Sequence, residues 1–335
     1  CTELGKKVDY YLVKWRTERE HEHRNSLAFA GYQRDSYIIA SKAPRFGSGE
    51  GKGVLQESVR GTDLYIMVDV CNYSLTYNMS GHVNHMSPDD HYQDLKRIIA
   101  AIGGKARRIT VIMPFLYESR QHKRSSRESL DCAVALQELV AMGVDNIITF
   151  DAHEPRVENS IPLEGFDNFN PSLQFITALL EHDKDLIING DTVMTASPDE
   201  NGTKRAIYYA NLLGVNTGMF YKRLDYTQVI DGVHPVLSHE FLGASVEGKT
   251  VVIVDDMISS GDALLETARQ LKLRKASKVY IFATYGLFTR GLGNFDAAHK
   301  DGVFDHLFTT NLTYVEPTLK ERSYYTYNCT KNQTD

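Results

Sequence analysis

The sequence predicts an α/β protein with mostly parallel central sheets covered by helices, and three observations carry that reading. Strand-length apolar runs alternate with helix-period segments, the pattern of strand–helix–strand units. The runs are apolar at consecutive positions, as strands buried on both faces must be. The rhythm occurs twice along 335 residues, a length that suits roughly two domains of about 150 residues each.

Residues 1–35 stand ahead of the rhythm as an N-terminal extension. Its mixed run from Arg16 to Arg24 predicts a solvated helix or edge, and His21 and His23, two apart, do not share a helix face. A first domain is expected over 36–175. There Asp63 to Val70 reads as a buried strand, and Leu95, Ile98, Ile99 and Ile102 give Tyr92 to Ile102 the spacing of an amphipathic helix closed by Gly103-Gly104. Ile109 to Met113 is a second strand stopped by Pro114, and Ser129 to Met142 a helix ended by Gly143. Asn146 to Phe150 is a third strand, which delivers Asp151-Ala152-His153 at its C-terminal end. The second domain is expected over 176–335. Asp191 to Ala196 is strand-like and stops at Ser197-Pro198-Asp199, and Thr203 to Leu213 is helical, ending at Gly214. Lys249 to Val254 is a strong strand followed by Asp255-Asp256. A helix from Ala263 to Leu273 and strands over Lys278 to Thr284 and Val303 to Thr309 complete the plan.

Lys and Arg number 37 against 43 Asp and Glu, a net charge of −6. That balance argues against a nucleic-acid binder with a general basic face, while leaving room for a local basic pocket around a phosphorylated small molecule. A disordered, collagen-like or cysteine-stapled chain is excluded by composition. Cys1, Cys71, Cys132 and Cys329 form no CxxC pair, so no structural zinc is expected and a reducing, cytoplasmic compartment fits. No run reaches the ~18 apolar residues of a membrane span, so no membrane partner is expected.

The sharpest chemical signal is Val251-Val252-Ile253-Val254-Asp255-Asp256-Met257-Ile258-Ser259-Ser260-Gly261-Asp262. The apolar run brings the chain to the carboxyl edge of a sheet, where open α/β folds place ligands. Two carboxylates there can accept hydrogen bonds from vicinal hydroxyls. The Ser-Ser-Gly turn ahead of a helix offers backbone N–H groups and two hydroxyls to an anion. A diol at one end and a phosphate at the other describe a sugar phosphate. The alternative is that the serines merely cap the helix while the aspartates face water.

This stretch resembles the ribose 5-phosphate loop of the phosphoribosyltransferase-like superfamily, and the chain resembles the ribose-phosphate diphosphokinase (phosphoribosyl pyrophosphate synthetase) family from about Phe46 to Leu312. Five elements stand in that family's order: Phe46-Gly47-Ser48-Gly49-Glu50 with Glu57 to Gly61, Arg120-Gln121-His122-Lys123, Asp151-Ala152-His153, Ser197-Pro198-Asp199, and the Asp255 loop. The resemblance implies two phosphoribosyltransferase-like domains, of which only the second carries the ribose site, with ATP lying between them. It implies that Phe46 and Glu50 reach the adenine of a neighbouring subunit, and that Arg120, Gln121 and Lys123 line the other side of the nucleotide. His153 and Asp199 match ligands of the Mg²⁺ that accompanies ATP. Asp199 to Arg205 resembles the pyrophosphate loop. Lys222 and Arg223 fall where the family keeps its mobile catalytic loop. Asp255 and Asp256 match holders of the ribose hydroxyls, while Ser259, Ser260, Gly261, Asp262 and Ala263 match the 5-phosphate loop. The implied reaction moves the β,γ-diphosphoryl group of ATP onto C1 of ribose 5-phosphate. Self-association to at least a dimer is implied too, since relatives build hexamers from dimers. On the residues alone, His153 reads equally well as a hydrogen-bonded sheet-edge histidine, and Lys222-Arg223 as an exposed basic pair.

The chain departs from the family pattern at Ser48 and His122, where aspartate is usual, and at Leu224, where many relatives carry a second arginine. Asp262 adds negative charge beside the phosphate loop and Ala263 removes a hydroxyl. Two other readings therefore stand beside the active enzyme. One is a catalytically weak regulatory homologue. The other is a phosphoribosyltransferase, which leaves Phe46 to Arg60 and Arg120 to Lys123 without a role.

Overall fold

The computed structural model describes residues 2–21, 34–224 and 236–327. The chain forms two compact units, Cys1–Phe169 with Leu312–Tyr314, and Asn170–Asn311 with Val315–Asp335.

The first unit opens with helix α1 (Thr2–His21), which contains most of the mixed charge run. The His21 side chain and His23 lie outside the described residues. Asp9 of α1 accepts hydrogen bonds from the Ser36 hydroxyl (2.9 Å) and the Tyr37 N–H (2.6 Å), so the helix is tied to the chain that follows. Strands β1 (Ser41–Lys42) and β2 (Val54–Leu55) pair antiparallel. Strand β3 (Asp63–Met67) stops short of Val70, because the buried Asp69 carboxyl accepts the N–H groups of Cys71 (3.1 Å) and Tyr314 (2.7 Å) and turns the chain. A hairpin of β4 (Thr76–Met79) and β5 (His82–His85) follows.

Helix α2 (Pro88–Ile102) begins before the apolar period does. Ser87 and Asp90 form a capping box, with Asp90 N–H donating to Ser87 Oγ (3.2 Å) and Ser87 N–H to Asp90 Oδ2 (3.0 Å). The helix buries Tyr92, Leu95, Ile99 and Ile102. Strand β6 (Arg108–Ile112), helix α3 (Asp131–Ala141), strand β7 (Asn146–Phe150) and strand β8 (Gly165–Phe169) complete a parallel sheet of order β3-β6-β7-β8. Strand β8 is mostly exposed and mixes two phenylalanines with Gly, Asp and Asn, an edge with no unbroken apolar run to announce it.

The second unit begins with helix α4 (Ser172–His182), whose Phe175 and Leu179 are buried in that unit's core. The division therefore falls at 169/170 rather than at the expected 175/176. Strand β9 (Val193–Ser197), helix α5 (Thr203–Leu213), strands β10 (Asn216–Leu224), β11 (Val236–Leu242) and β12 (Thr250–Ile258), helix α6 (Asp262–Leu273), strand β13 (Lys278–Gly286), helix α7 (Gly293–Lys300) and strands β14 (His306–Thr309) and β15 (Tyr325–Thr326) follow. The seven described strands lie in the order β11-β10-β9-β12-β13-β14-β15, parallel except where β10 meets β11. Alternate residues of β12 and β13 fill two cores. Val251, Ile253, Val279 and Ile281 pack with Leu264, Ala268 and Leu271, while Val252, Val254, Tyr280 and Phe282 pack with Phe175, Leu179 and Tyr209. That two-sided burial explains the unbroken apolar run; each such side chain contributes about 1.5–3 kcal/mol. Among the described residues no helix is long and apolar enough to cross a membrane.

Candidate functional site

From β9 the chain passes to β10 on one side and later returns to β12 on the other. Strand order reverses there, and the ground beyond the carboxyl ends at such a reversal is where open α/β sheets bind ligands. Both β9 and β12 end in a loop that leads directly into a helix.

The loop after β9 is a closed turn. Asp199 Oδ1 accepts the Gly202 N–H (3.0 Å), and the Asp199 carbonyl accepts the hydroxyls of Ser197 (2.6 Å) and Thr203 (3.2 Å). A β-carbon at Gly202 would lie 2.7 Å from Ser197 Oγ, so glycine lets the turn sit on the strand end. Asp199 commits one carboxylate oxygen to this turn and keeps the other, a hard donor suited to Mg²⁺.

Strand β12 is longer than the sequence implied. Asp255 and Asp256 lie inside it, with Asp255 paired to Ala283 and Met257 to Tyr285. Asp256 is buried, and its Oδ1 lies 3.8 Å from Arg205 Nη1 on α5. The Asp256 N–H donates to Asp255 Oδ1 (2.9 Å), which holds the two neighbouring carboxyls close. Burial first, and the adjoining Asp256 second, push the Asp255 carboxyl well above its usual range, against the pull of Arg205. Such a pair is poised to be relieved by a ligand that donates hydroxyl hydrogens.

Beyond Ile258 the chain turns through Gly261 (φ 84°), where a β-carbon would collide with the Phe295 ring. A buttress holds this turn. The Ile258 carbonyl accepts the N–H groups of Leu287 (2.9 Å) and Phe288 (3.1 Å), and the Ser259 carbonyl that of Thr289 (2.9 Å). Among the described residues, the N–H groups of Gly261, Ala263 and Leu264 at the start of α6 have no protein acceptor, so they and the helix dipole are open to an anion. Asp262 does not cap the helix; its carboxylate pairs with Arg290 at 2.7 Å.

In the first unit, the loop between β1 and β2 is closed by Phe46 N–H donating to the Glu50 carbonyl (2.7 Å) and Gly49 N–H to the Phe46 carbonyl (2.9 Å). Ser80 of the β4–β5 hairpin pins it through Gly47 (2.8 Å). The Phe46 ring is 55% exposed, with Lys52 Nζ 6.0 Å from its centre, so it is free to stack on a flat partner. Ser48 Oγ donates to Glu50 Oε2 at 2.8 Å and so braces the carboxylate.

Adjacent strands β6 and β7 end together, because the Pro114 carbonyl accepts the Phe150 N–H (3.1 Å) and the Thr149 hydroxyl (3.0 Å). Arg120 and Lys123 are exposed in the segment after β6. The Gln121 amide donates to the Ser129 carbonyl (2.7 Å) and closes the basic loop. After β7, Asp151 takes a left-handed conformation (φ 41°), held by the Phe169 carbonyl (2.8 Å), while the Ala152 N–H donates to Asn168 Oδ1 (3.0 Å). These bonds present His153, whose ring centre lies 5.3 Å from that of His122. The buried His122 Nδ1 has no hydrogen-bond partner.

Lys222 and Arg223 end β10 with their backbones paired to His239 and Ser238, and the register slips between Arg223 and Leu224. Their side chains lie outside the described residues.

Residues 3–143 match the family described as the N-terminal domain of ribose phosphate pyrophosphokinase, and residues 170–314 match the phosphoribosyl transferase domain. A ribose-phosphate pyrophosphokinase of Vibrio cholerae is 30% identical over 271 residues, covering 80% of this chain and 76% of its own. One from Ralstonia nicotianae is 28% identical over 272 residues, with the same coverage of 80% and 76%. The chain belongs to the ribose-phosphate pyrophosphokinase family. The crystal structure of phosphoribosylpyrophosphate synthetase from Mycobacterium smegmatis superposes with a TM-score of 0.70 at 23% identity, over 88% of this chain and 87% of that one, and shows the shared fold of two phosphoribosyltransferase-like domains. The match from residue 3 brings α1 within the ribose-phosphate pyrophosphokinase N-terminal domain, so the first 35 residues are not wholly an addition to it.

One residue of this family member, Arg290, escaped the sequence reading, and one neighbourhood, that of His122, did so too. Arg290 pairs with Asp262 only because the turn after β13 folds back on the Ser259 loop, which no local pattern encodes. His122 was visible as a departure, but its nearness to His153 follows from the pairing of β6 with β7.

Proposed function

We propose that this protein transfers the β,γ-diphosphoryl group of ATP to α-D-ribose 5-phosphate, giving AMP and 5-phospho-α-D-ribose 1-diphosphate. The C1 hydroxyl oxygen bonds to the β-phosphorus, the bond from that phosphorus to AMP's oxygen breaks, and the hydroxyl proton passes to solvent. The observation that carries the reading is the Asp255–Asp256 pair beside the open N–H groups of α6, at the strand reversal of the second unit.

The aspartates take the ribose 2- and 3-hydroxyls, and Ser259, Ser260, Gly261 and Ala263 receive the 5-phosphate. Phe46 stacks on adenine, Glu50 accepts from its amine, and Arg120, Gln121 and Lys123 face the nucleotide. Phosphoryl transfer asks the protein mainly for positioning and charge compensation, which Lys222 and Arg223 supply over the transferring group. Asp199 in the second unit and His153 in the first are each proposed as ligands for the divalent ion that accompanies ATP, Mg²⁺ in the family pattern, which would neutralise charge on the phosphate oxygens. The family resemblance also supports association to at least a dimer, with Phe46 and Glu50 serving a neighbouring copy. Free thiols at Cys71 and Cys132 support a reducing, cytoplasmic setting.

Purified protein given ATP, Mg²⁺ and ribose 5-phosphate is expected to release AMP and the phosphoribosyl product in equal amounts. Release of ADP would mark a simple kinase, and consumption of the phosphoribosyl product with a free base a phosphoribosyltransferase. Leu224, in place of a usual arginine, favours a second reading as a weakly active regulatory subunit. Ribose 5-phosphate binding without turnover would establish that reading.

Arg290 and Asp262 are both more than half exposed, so their pair contributes at most about 1 kcal/mol to folding. Arg290→Ala is therefore expected to leave Tm nearly unchanged. It should weaken ribose 5-phosphate several-fold by unmasking Asp262 beside the phosphate loop, and Asp262→Asn should restore affinity in the double variant. Unchanged calorimetric affinity in Arg290→Ala would refute this role.

A further inference from the structure

We propose that His122 and His153 form a two-imidazole seat for a borderline transition-metal ion, and that the first unit of this chain prefers such an ion to Mg²⁺. The two rings come from the loops after adjacent parallel strands, 5.3 Å apart between centres and inclined at 56°. An ion about 2.1 Å from one nitrogen of each ring requires ring centres about 5 Å apart, so the observed spacing suits two ligands on one ion. His122 Nδ1 is buried and lacks a hydrogen-bond partner, a state that costs about 1–3 kcal/mol unless something else satisfies the atom. A bound cation is one such partner.

The chemistry of the pair points away from magnesium. Mg²⁺ prefers oxygen ligands and near-octahedral geometry, whereas imidazole nitrogen suits Co²⁺, Ni²⁺ and Zn²⁺. Among the described residues no group of three or more His, Cys, Asp or Glu side chains is arranged to hold a metal. An ion seated there therefore keeps open positions, as ions that also hold a substrate do.

The seat rests on the proposed function only in taking His153 as an ion ligand, and its test needs no turnover. Metal-free full-length protein, without nucleotide, is titrated with Co²⁺ in excess Mg²⁺, following visible d–d absorption and heat. One equivalent is expected to bind with imidazole-type bands. His122→Ala and His153→Ala should each weaken Co²⁺ by at least about 10-fold, a loss that even outer-sphere changes can cause. His122→Asp, which keeps a donor at the position, should lower the preference for Co²⁺ over Mg²⁺ by a similar factor. Circular dichroism checks that each variant folds, and if His122→Ala does not, His122→Asp decides. Equal Co²⁺ affinity in wild type and a folded position-122 variant would overturn the seat, as would failure of Co²⁺ to bind against Mg²⁺. A protein that releases no AMP yet binds Co²⁺ through both histidines would overturn the proposed reaction and leave the seat standing.

Discussion

Lys222→Ala is expected to lower kcat by about 10²–10³, the loss that follows removal of one donor to developing charge, while ribose 5-phosphate affinity changes less than about 2-fold. The asymmetry follows from where Lys222 stands. It belongs to the last residues of β10, beside a register slip, and not to the loops after β9 and β12 that are proposed to hold pyrophosphate and sugar. A contact made mainly in the transition state lowers kcat and kcat/KM together without weakening the resting complex. Steady-state rates beside calorimetry on the same preparation provide the check. Equal loss of turnover and ribose 5-phosphate binding would remove Lys222 from the catalytic step. Arg223 then becomes the informative comparison, because Leu224 leaves it the second cation at this strand end.

Asp255→Asn is expected to make the ligand-free protein more stable and the sugar-phosphate complex much weaker. The Asp255 carboxyl stands well above its ordinary value of 3.8 because it is buried and adjoins Asp256. A carboxyl raised on folding binds its proton more tightly in the native state. Stability contributed by that proton is complete below 3.8 and is lost as pH rises toward the native value. Asparagine carries no such penalty. The variant's advantage should therefore be present near neutral pH and shrink toward zero in acid, with Tm rising by about 2–4 °C for each kcal/mol relieved. Ribose 5-phosphate affinity should fall by roughly 10–100-fold, since a hydrogen bond to a charged group contributes about 1.5–3 kcal/mol. Thermal melts across pH provide the measurement. A variant destabilised at neutral pH, or an advantage independent of pH, would contradict the assignment of burial as the cause.

Much of the fold was legible because parallel strands buried on both faces leave unbroken apolar runs, as in Val251–Val254. Helix α5 was bounded correctly by the Gly214 stop. Strand β12 was read too short because apolar character ends at Val254, whereas pairing with β13 carries the strand through two carboxylates to Ile258. The start of α2 was missed because the Ser87–Asp90 capping box lies ahead of the apolar spacing. Strands β8, β4 and β5 carry mixed polar sequences whose partners, not their composition, make them strands. At the site, the acidic pair and the Ser-Ser-Gly turn could be read locally. Arg205 beside Asp256 and Arg290 against Asp262 could not, since each is placed by a different element.

Leu312–Tyr314 is part of the first unit, although the residues on either side of it belong to the second. Its main chain supplies one of the two N–H groups that the buried Asp69 accepts, and the Tyr314 ring meets Tyr73 edge-on at 5.3 Å. A fragment ending at Phe169 would lack this tripeptide, leaving an interior acid short of a donor at a cost of about 1–3 kcal/mol. The two halves are thus threaded rather than strung in series, and a single recombination breakpoint cannot exchange the first half intact. Any graft of a foreign first half must bring its own late tripeptide or inherit one that fits.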